Sequence, residues 1–340
     1  MMKRVYAITD HRGYFESKYN AIPYRSGMDK DLLEKHFSEF DFQIIFIKYS
    51  EVITYPKDFW TNTVIIYASS EDTGLHYKSF IEDIIYYLEL CNARVIPSFK
   101  YLKSNNNKVF MELLRHQMVD VSMNNLKTSV FGCLEEVKGS IDSFNFPLVY
   151  KKSAGAMSKG VGIANNKLSL IRKLKRISRT PNCFQEIWEL GRKVKYKNYK
   201  KESKFREKFI VQDFIPFLKG DFKILIFSDK YFVLERGIKN GDFRASGSGI
   251  RNFVKDIPSG LLDFASLVFK ALNVPNASLD IAFNGKSFFL LEFQCLYFGS
   301  FTLTYSEFYW LKDNNRFDII ESKSELEHEY VRSIVNYLDD

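Results

Sequence analysis

Residues 278–294 read SLDIAFNGKSFFLLEFQ. Each half of this stretch has the length and apolar content of a β-strand, and Asn284-Gly285 lies between the halves, so it predicts a hairpin. Asp280, Glu292 and Gln294 interrupt the apolar runs, and a carboxylate in an apolar strand costs free energy unless it is paired or binds a cation. Oxygen donors of this kind suit Mg²⁺. The three residues are the candidate metal ligands, and exposed carboxylates on an edge hairpin are the alternative.

The turn between the two strands decides whether the candidate ligands share a face. Glu292 and Gln294 are two residues apart and face the same way, because side chains alternate along a strand. A two-residue Asn284-Gly285 turn would place Asp280 and Glu292 on opposite faces of the sheet. A loop with an odd number of residues, or a β-bulge, would restore a common face. We therefore predict that this hairpin is not closed by a two-residue turn.

A second polar feature is the loop that follows the strand predicted at 146–151. Lys151 ends that strand, and the small residues Ser153, Gly155, Ser158 and Gly160 come after it. Such a loop lets backbone N–H groups approach phosphate oxygens closely, while the lysine supplies a positive charge. A loop of this kind could bind the phosphates of a nucleotide, and the candidate magnesium ligands would hold the ion that accompanies those phosphates. An ordinary hairpin loop is the alternative.

The composition limits the class of protein. The chain has 340 residues, of which 46% are hydrophobic, so about two domains with real cores are expected and a largely disordered chain is excluded. The longest apolar runs, such as 44–47 and 64–68, are far shorter than a membrane helix, and no secretory signal follows Lys3 and Arg4. The four cysteines form no C-x-x-C pair, which argues against a zinc site or a disulfide framework. We expect a cytoplasmic protein without a membrane span.

Positive charge is concentrated in the segment 167–208. It contains 15 Lys and Arg against 4 Asp and Glu, a net of +11, whereas the whole chain has +8. Such a segment is compatible with a nucleic-acid footprint. A solvated face, or an insertion suited to anionic ligands, is the simpler explanation. No recognised nucleic-acid-binding motif accompanies the charge, so nucleic acid is the less favoured partner.

Periodicity divides the chain into an α/β part and an α+β part. In the first hundred residues strands predicted at 5–9, 43–49, 63–67 and 94–96 alternate with helices at 29–39 and 77–90. This alternation indicates a parallel sheet. A helix is predicted at 107–116 after the polar residues Asn105 and Asn106. Strands at 209–212, 222–227, 231–236, 278–283 and 288–294, with a helix at 261–272, predict an antiparallel sheet with packed helices.

From about Val5 to Thr304 the sequence resembles the ATP-grasp superfamily, in motif order as well as in motif type. The strand and loop at 147–160 are similar to its lid segment, and 209–215 is similar to its inter-domain hinge. The resemblance implies an N-terminal parallel α/β domain followed by a two-part ATP-grasp fold, a lid subdomain and an antiparallel-sheet catalytic subdomain. The implied boundaries are 1–105 for the N-terminal domain, 106–141 for a connecting helical segment, 142–214 for the lid and 215–340 for the catalytic subdomain.

The resemblance also implies an ATP site. The residues that it places around ATP are Lys108, Lys151, Ser153, Gly155, Ser158, Gly160, Gln212, Asp213, Ile215 and Asp221, with Asp221 at the ribose hydroxyls. Asp280, Glu292 and Gln294 correspond to ligands for one or two Mg²⁺. Arg236, or Arg244 in the loop 243–249, would bring a guanidinium to the transferred phosphate.

The sequence departs from the family pattern in three places. Gln212 stands where the hinge usually has Glu, and Gln294 stands where the last metal ligand is usually Asn. Both keep a carbonyl oxygen. The two residues before Asp280 lack the arginine often found there, which leaves the choice between Arg236 and Arg244 open. A non-catalytic member of the superfamily is the alternative.

The implied activity is that of an ADP-forming carboxylate–amine ligase that works through an acylphosphate. Arg12, Tyr14, Ser246 and Ser248 are the candidate contacts for the substrates. We expect a small molecule or a surface-polysaccharide precursor. The segment 167–208 would guide an anionic sugar or nucleotide-linked sugar, or would simply face solvent. A small-molecule kinase on the same fold and a nucleic-acid-binding protein are the alternatives. The oligomeric state is open, with a homodimer as one option.

Overall fold

The computed structural model describes residues 2–118, 125–155, 160–180, 183–314 and 316–339. The chain forms two compact units. The flanking unit combines Met1–Asn105 with Leu218–Asp340, and the middle unit comprises Asn106–Phe217. The four-segment division expected from the sequence stays a prediction.

The N-terminal part of the flanking unit is a parallel sheet with helical crossovers. Its strands are β1 (Lys3–Thr9), β2 (Phe42–Lys48), β3 (Val64–Tyr67) and β4 (Arg94–Ile96), in the order β2-β1-β3-β4. The helices are α1 (Lys30–Glu39), α2 (His76–Leu90) and α3 (Phe99–Ser104). Parallel neighbours require crossover connections, which the helices provide. The parallel α/β arrangement predicted from the strand–helix alternation is confirmed.

The middle unit is built around a four-stranded antiparallel sheet. Its helices are α4 (Lys108–His116), α5 (Leu134–Ser140), α6 (Lys167–Ile177) and α7 (Cys183–Lys195). Its strands are β5 (Thr128–Phe131), β6 (Leu148–Lys152), β7 (Val161–Ala164) and β8 (Phe209–Asp213), in the order β5-β8-β6-β7. Leu148, Phe209 and Val211 on one face of this sheet pack with Leu170 and Leu174 of α6. Lys151 and Gln212 are on the other face.

The C-terminal part of the flanking unit is an antiparallel sheet in the order β13-β12-β9-β10-β14-β15, with β11 beside β10. Its strands are β9 (Gly220–Phe227), β10 (Lys230–Gly237), β11 (Arg251–Asn252), β12 (Asn276–Phe283), β13 (Phe288–Gln294), β14 (Tyr309–Asp313) and β15 (Arg316–Ile320). The helices are α8 (Leu261–Leu272), α9 (Phe301–Tyr305) and α10 (Leu326–Asp339). The predicted combination of a parallel and an antiparallel part is confirmed.

One apolar core joins both parts of the flanking unit. It includes Val5 of β1, Phe37 of α1, Leu225 of β9 and Val331 of α10, all with less than one per cent of their surface exposed. Burial of side chains of this size stabilises the unit by about 1.5–3 kcal/mol each. The two ends of the chain therefore fold together as one scaffold.

Within the residues that the structure describes, no helix is both long enough and apolar enough to cross a bilayer.

Candidate functional site

The predicted metal ligands lie together on one face of the antiparallel sheet. Asp280 of β12 is directly opposite Glu292 of β13, and Ser278 is directly opposite Gln294. Directly opposed residues of antiparallel strands point to the same face. Two carboxylates and an amide are thus neighbours on this face.

A β-bulge is the reason that the carboxylates share a face. The loop 284–287 has four residues between the paired Phe283 and Phe288, so an uninterrupted ladder would place Leu291 opposite Asp280. The register instead shifts between Asp280 and Ile281, and Glu292 takes that position. The prediction that the hairpin is not closed by a two-residue turn is confirmed. A bulge re-aims side chains at the cost of one unpaired residue.

The guanidinium of Arg236 contacts two carboxylates on this face. Its Nε and Nη2 donate to Asp221 at 2.6 and 2.9 Å, and its Nη2 lies 2.8 Å from Asp280 Oδ2. Asp221 and Arg236 are directly opposed on β9 and β10, and both are buried. Burial raises the pKa of Asp221 to about 6, although the Arg236 charge opposes this shift. The ribose contact expected of Asp221 stays a prediction, and the partner that the structure shows for it is Arg236.

The donor set of the carboxylate face fits Mg²⁺. The ion takes oxygen ligands and keeps several waters, so it needs only one or two protein carboxylates. Asp280 is also close to Lys223 Nζ, at 3.7 Å, so part of its charge is already balanced. Among the described residues, no three His, Cys, Asp or Glu side chains are placed to hold an ion together. A metal site here would therefore combine the carboxylates of Asp280 and Glu292 with the Gln294 amide oxygen.

In the middle unit, the candidate phosphate loop is fastened to the first turn of α4. Asn107 caps this helix, and the Ser153 hydroxyl donates to its Oδ1 at 3.0 Å. The backbone N–H of Lys108 donates to Ser153 O at 2.9 Å, and Lys108 Nζ donates to Gly155 O at 3.0 Å. The helix N-terminus and the loop after β6 therefore form one local structure. A helix N-terminus with a nearby lysine is suited to a phosphate group.

Gly160, Lys151 and Ser158 are the remaining residues predicted at this loop. Gly160 has φ +81°, and a Cβ atom there would lie 2.9 Å from Lys152 Cβ, so this position requires glycine. Lys151 precedes Lys152 at the end of β6. Ser158 is outside the described residues.

A buried polar network behind Lys151 was not predicted from the sequence. Glu112 of α4 forms an ion pair with Arg115, and both are buried. Gln212 Nε2 donates to Thr128 Oγ1 at 2.8 Å and to Glu112 Oε1 at 3.3 Å. Burial raises the pKa of Glu112, while the charges of Arg115 and Lys151 act in the opposite direction. The network fixes α4 against the sheet face that carries Lys151 and Gln212.

The predicted hinge contacts follow Gln212 directly. Asp213 is the last residue of β8 and is exposed, whereas Ile215 is buried. Whether their backbone contacts adenine stays a prediction.

Arg244 is in a different environment from Arg236. It is in the irregular segment between β10 and β11, and its guanidinium lies 2.8 Å from Asp242 Oδ2. This contact lowers the pKa of Asp242. Ser248 is buried and its Oγ accepts from Ile250 N at 3.1 Å, while Ser246 lies two residues earlier in the same segment. Arg244 is the more accessible of the two candidate arginines.

The predicted substrate contacts Arg12 and Tyr14 line a pocket beyond the carboxyl ends of β1 and β3. Arg12 forms an ion pair with Asp10 at 2.6 Å and lies over the Tyr14 ring. The pocket is also lined by Asp10, Glu16, Arg25, Tyr49, Ala68, Ser69, Ser70 and Tyr297. The edge at the carboxyl ends of parallel strands is the usual ligand-binding edge of an α/β sheet.

Comparison with solved structures identifies the fold. D-cycloserine synthetase DcsG aligns with a TM-score of 0.57 and 14% identity, over 98% of this chain and 99% of that one. The RimK domain protein ATP-grasp from Sphaerobacter thermophilus aligns with a TM-score of 0.50 and 13% identity, over 87% and 92%. The chain has the ATP-grasp fold. The macrocyclase MdnC from Microcystis aeruginosa, bound with precursor peptide MdnA, aligns with a TM-score of 0.51 and 12% identity, over 98% and 99%.

No protein-family model matches the chain, and no curated protein matches its sequence. The identity to the solved structures is low enough that they establish the fold alone. The ATP-grasp fold that the motifs implied is thereby confirmed, while membership of the superfamily stays a prediction. The roles assigned to individual residues stay predictions.

Glu16 is a buried carboxyl group that the sequence did not reveal. It lines the pocket beside Arg12, and its Oε2 accepts from Tyr297 N at 3.0 Å. Burial raises its pKa from 4.5 to about 8. It is in an irregular segment after Phe15, where no periodic pattern distinguishes a buried carboxyl group from a solvated one.

The raised pKa of Glu16 predicts a pH-dependent stability. Between about pH 4.5 and pH 8 the folded chain keeps a proton that the unfolded chain has released, so this group lowers the free energy of unfolding as the pH rises. We expect Glu16→Gln to remove this pH dependence. The free energy of unfolding of the variant, relative to that of wild type, should therefore rise by a few kcal/mol from pH 5 to pH 8.5. Urea unfolding at both pH values measures it, with exposed Glu307→Gln as the control. Parallel pH profiles for wild type and Glu16→Gln would contradict the assignment.

Proposed function

We propose that this ATP-grasp chain is an ADP-forming ligase that joins a carboxylate to an amine. The observation that carries the proposal is the bulged pairing of β12 with β13, which sets Asp280 and Glu292 side by side in an otherwise apolar hairpin. A fold-stabilising role does not require two carboxylates there, because burying charge is unfavourable. The arrangement is explained if the hairpin holds Mg²⁺.

The proposed reaction has two steps. A carboxylate oxygen of the first substrate attacks the γ-phosphorus of ATP, the bond from that phosphorus to the bridging oxygen breaks, and ADP leaves. The acylphosphate is then attacked at its acyl carbon by the amine, and inorganic phosphate departs with the electron pair while the amine releases a proton. Mg²⁺, when bound, would neutralise phosphate charge. Positioning and charge neutralisation are the main sources of rate in phosphoryl transfer.

Lysine and arginine side chains would neutralise the phosphate charge that Mg²⁺ leaves. Lys108 and Lys151, with the N–H groups of the loop after β6, would bind phosphate oxygens of ATP. Arg244 is the better candidate for the transferred phosphate, since its side chain is 39% exposed and pairs with the carboxylate of Asp242, whereas Arg236 is 11% exposed and pairs with two carboxylates. Arg236 would then orient Asp280 for the metal.

The identity of the acid and the amine is a separate proposal. A small molecule or a surface-polysaccharide precursor is compatible with the pocket that contains Arg12 and Tyr14. A peptide also supplies both groups, through acidic and amine side chains. MdnC, the macrocyclase described with a precursor peptide, has the same fold. We therefore include peptides among the proposed substrates.

A coupled assay for ADP tests the proposal. The purified chain is incubated with ATP and Mg²⁺ and with pools of candidate acids, amines and peptides. We expect sustained ADP release only when a carboxylate and an amine are both supplied, either as two molecules or within one peptide, and we expect an amide product by mass spectrometry. ADP release with a single acceptor and a phosphorylated product would replace the ligase by a kinase. Tight, salt-dependent nucleic-acid binding without nucleotide turnover would overturn the proposal.

A further inference from the structure

Glu16 has no ion-pair partner among the residues that the structure describes. Its side chain is 9% exposed, and its Oε2 accepts a hydrogen bond from the backbone N–H of Tyr297 at 3.0 Å. Burial raises its pKa to about 8, and only the backbone N–H groups of Tyr297 and Ser17 act in the opposite direction. A buried carboxylate is normally paired with a cation. A cationic ligand would supply the partner that the described part of the chain lacks.

The pocket beyond the carboxyl ends of β1 and β3 gives such a ligand a place to bind. Glu16 lines this pocket together with Ser69 and Ser70, which follow β3 closely. Asp10 and Arg12 also line it and form an ion pair at 2.6 Å, so their charges balance each other. The titratable and charged groups around Glu16 are Asp10, Arg12, Tyr14, Arg25, Tyr49 and Tyr297 in this pocket and Tyr330 in the adjoining cavity.

A backbone bridge between Phe15 and Gly27 brings Arg25 back to the same pocket. Met28 N donates to Phe15 O at 2.9 Å, so the ends of the loop 16–26 lie together. A Cβ atom at Gly27 would lie 2.1 Å from Phe15 O, so the bridge requires glycine. Within the described part of the chain, no carboxylate forms an ion pair with the exposed Arg25. Its guanidinium is therefore available to an anionic group at the pocket.

The pocket is close to the proposed metal site along the chain. Tyr297, which lines the pocket, is three residues after the candidate metal ligand Gln294, so their Cα atoms are at most about 11 Å apart. The segment between them is fixed to the parallel sheet, because Asn105 Nδ2 donates to Leu296 O at 3.3 Å and Ser69 Oγ donates to Asn105 Oδ1 at 3.1 Å. A ligand in the pocket would therefore lie near the carboxylate face.

The charges of the pocket select one class of ligand. The amine of the proposed reaction is an ammonium ion in neutral solution, because the pKa of an aliphatic amine lies above 7. An ammonium group beside Glu16 would favour the ionised carboxylate. Arg25 would repel a simple amine, but it would attract an amine that carries an anionic group. An amino acid has both groups.

We propose that this pocket binds the amine substrate as an amino acid, with its ammonium group against Glu16 and its carboxylate against Arg25. The inference rests on the proposed function, in which an amine attacks the acylphosphate. Hydrogen bonds between charged groups are about twice as strong as neutral ones, so both contacts would contribute to affinity. Glu16 holds a proton at pH 7 while the pocket is empty, and it would release that proton as the ammonium group binds.

Thermal unfolding without nucleotide tests the site, with the standard amino acids in both enantiomeric forms as probes at about 10 mM. We expect at least one of them to raise Tm by about 1 °C or more. Its N-acetyl derivative, which lacks the ammonium group, and its amide, which lacks the carboxylate, should not do so. Stabilisation by the N-acetyl derivative or by the amide that equals that of the amino acid would overturn the proposal, as would a panel in which no amino acid stabilises.

Calorimetric titration with the stabilising amino acid locates the contacts. We expect Glu16→Gln and Arg25→Gln each to weaken binding by at least about tenfold, because each removes a hydrogen bond between charged groups. Titration at pH 7 in two buffers of different ionisation enthalpy should show release of about one proton per bound amino acid in wild type and none in Glu16→Gln. Wild-type affinity in Glu16→Gln, or the same proton release in both proteins, would contradict the assignment.

Glu307→Gln is the matched control, since Glu307 is an exposed glutamate of the flanking unit. It should bind the amino acid as wild type does. Stabilisation by MgCl₂ or KCl alone that Glu16→Gln removes would show that Glu16 holds a metal ion, which would also overturn the proposal. ADP release from other acids and amines, without any binding of amino acids, would reject this inference alone. Failure of the ADP assay with every acid and amine would reject the proposed function and leave the binding result intact.

Discussion

Replacing Glu292 by Gln is expected to remove most of the gain in ATP affinity that Mg²⁺ provides and to lower ADP release by about 10²–10³-fold. Glu292 is directly opposite Asp280 on the carboxylate face, and the bulge in β13 gives it that position. The amide is close to the carboxylate in size, so the variant tests the negative charge rather than the packing. Calorimetric titration of ATP with and without Mg²⁺ measures the first effect, and the coupled assay measures the second.

Glu235→Gln is the matched control for this experiment. Glu235 is on β10 next to Arg236, so its side chain points to the opposite face, where it accepts from Asn252 Nδ2 at 3.3 Å. The control should keep the magnesium dependence of wild type. If Glu292→Gln also kept it, the hairpin would not be the metal site.

Arg236→Met is expected to be among the most destabilising single changes in the flanking unit. It leaves the buried carboxylate of Asp221 and the partly buried carboxylate of Asp280 without their shared guanidinium, and removing one partner of a buried ion pair costs about 3–5 kcal/mol. The pKa of Asp221 is already raised to about 6 by burial. Without Arg236 it should rise further, and the folded state then keeps a proton to a higher pH.

The sign of the pH dependence follows from that proton. Stability falls with rising pH wherever the folded state binds more protons than the unfolded state. The free energy of unfolding of Arg236→Met should therefore be closest to that of wild type near pH 5 and furthest below it near pH 8, as measured by urea unfolding. The double variant Arg236→Met/Asp221→Leu should recover part of the loss. A deficit that does not change with pH would show that packing, and not charge, explains the effect.

The hairpin shows what could be predicted from the sequence. Side chains alternate along a strand, so Glu292 and Gln294 had to lie on one face. For Asp280 to lie on that face as well, the loop needed an odd number of residues or one of the strands needed a bulge. The structure has the bulge. The parallel sheet at 1–105 was equally predictable, because strand-length apolar runs alternate there with segments of helical periodicity.

Residues that act through tertiary contacts were not predictable. Glu112 and Arg115 are charged residues of a helix, and only the fold shows that they are buried beside Gln212. Helix α7 was not predicted because the basic composition of 167–208 suggested a solvated segment. Its apolar residues do follow a helical period, but a period alone does not tell which side of a helix faces the protein.

The most direct test of the account is the wild-type arm of the ATP titration. The carboxylate face and the lysines of the phosphate loop predict that the intact chain binds ATP with a single-site isotherm, at least about tenfold more tightly with Mg²⁺ than with EDTA. ATP binding that is absent, or that is equally tight in EDTA, would contradict the central claim that this fold holds a magnesium nucleotide.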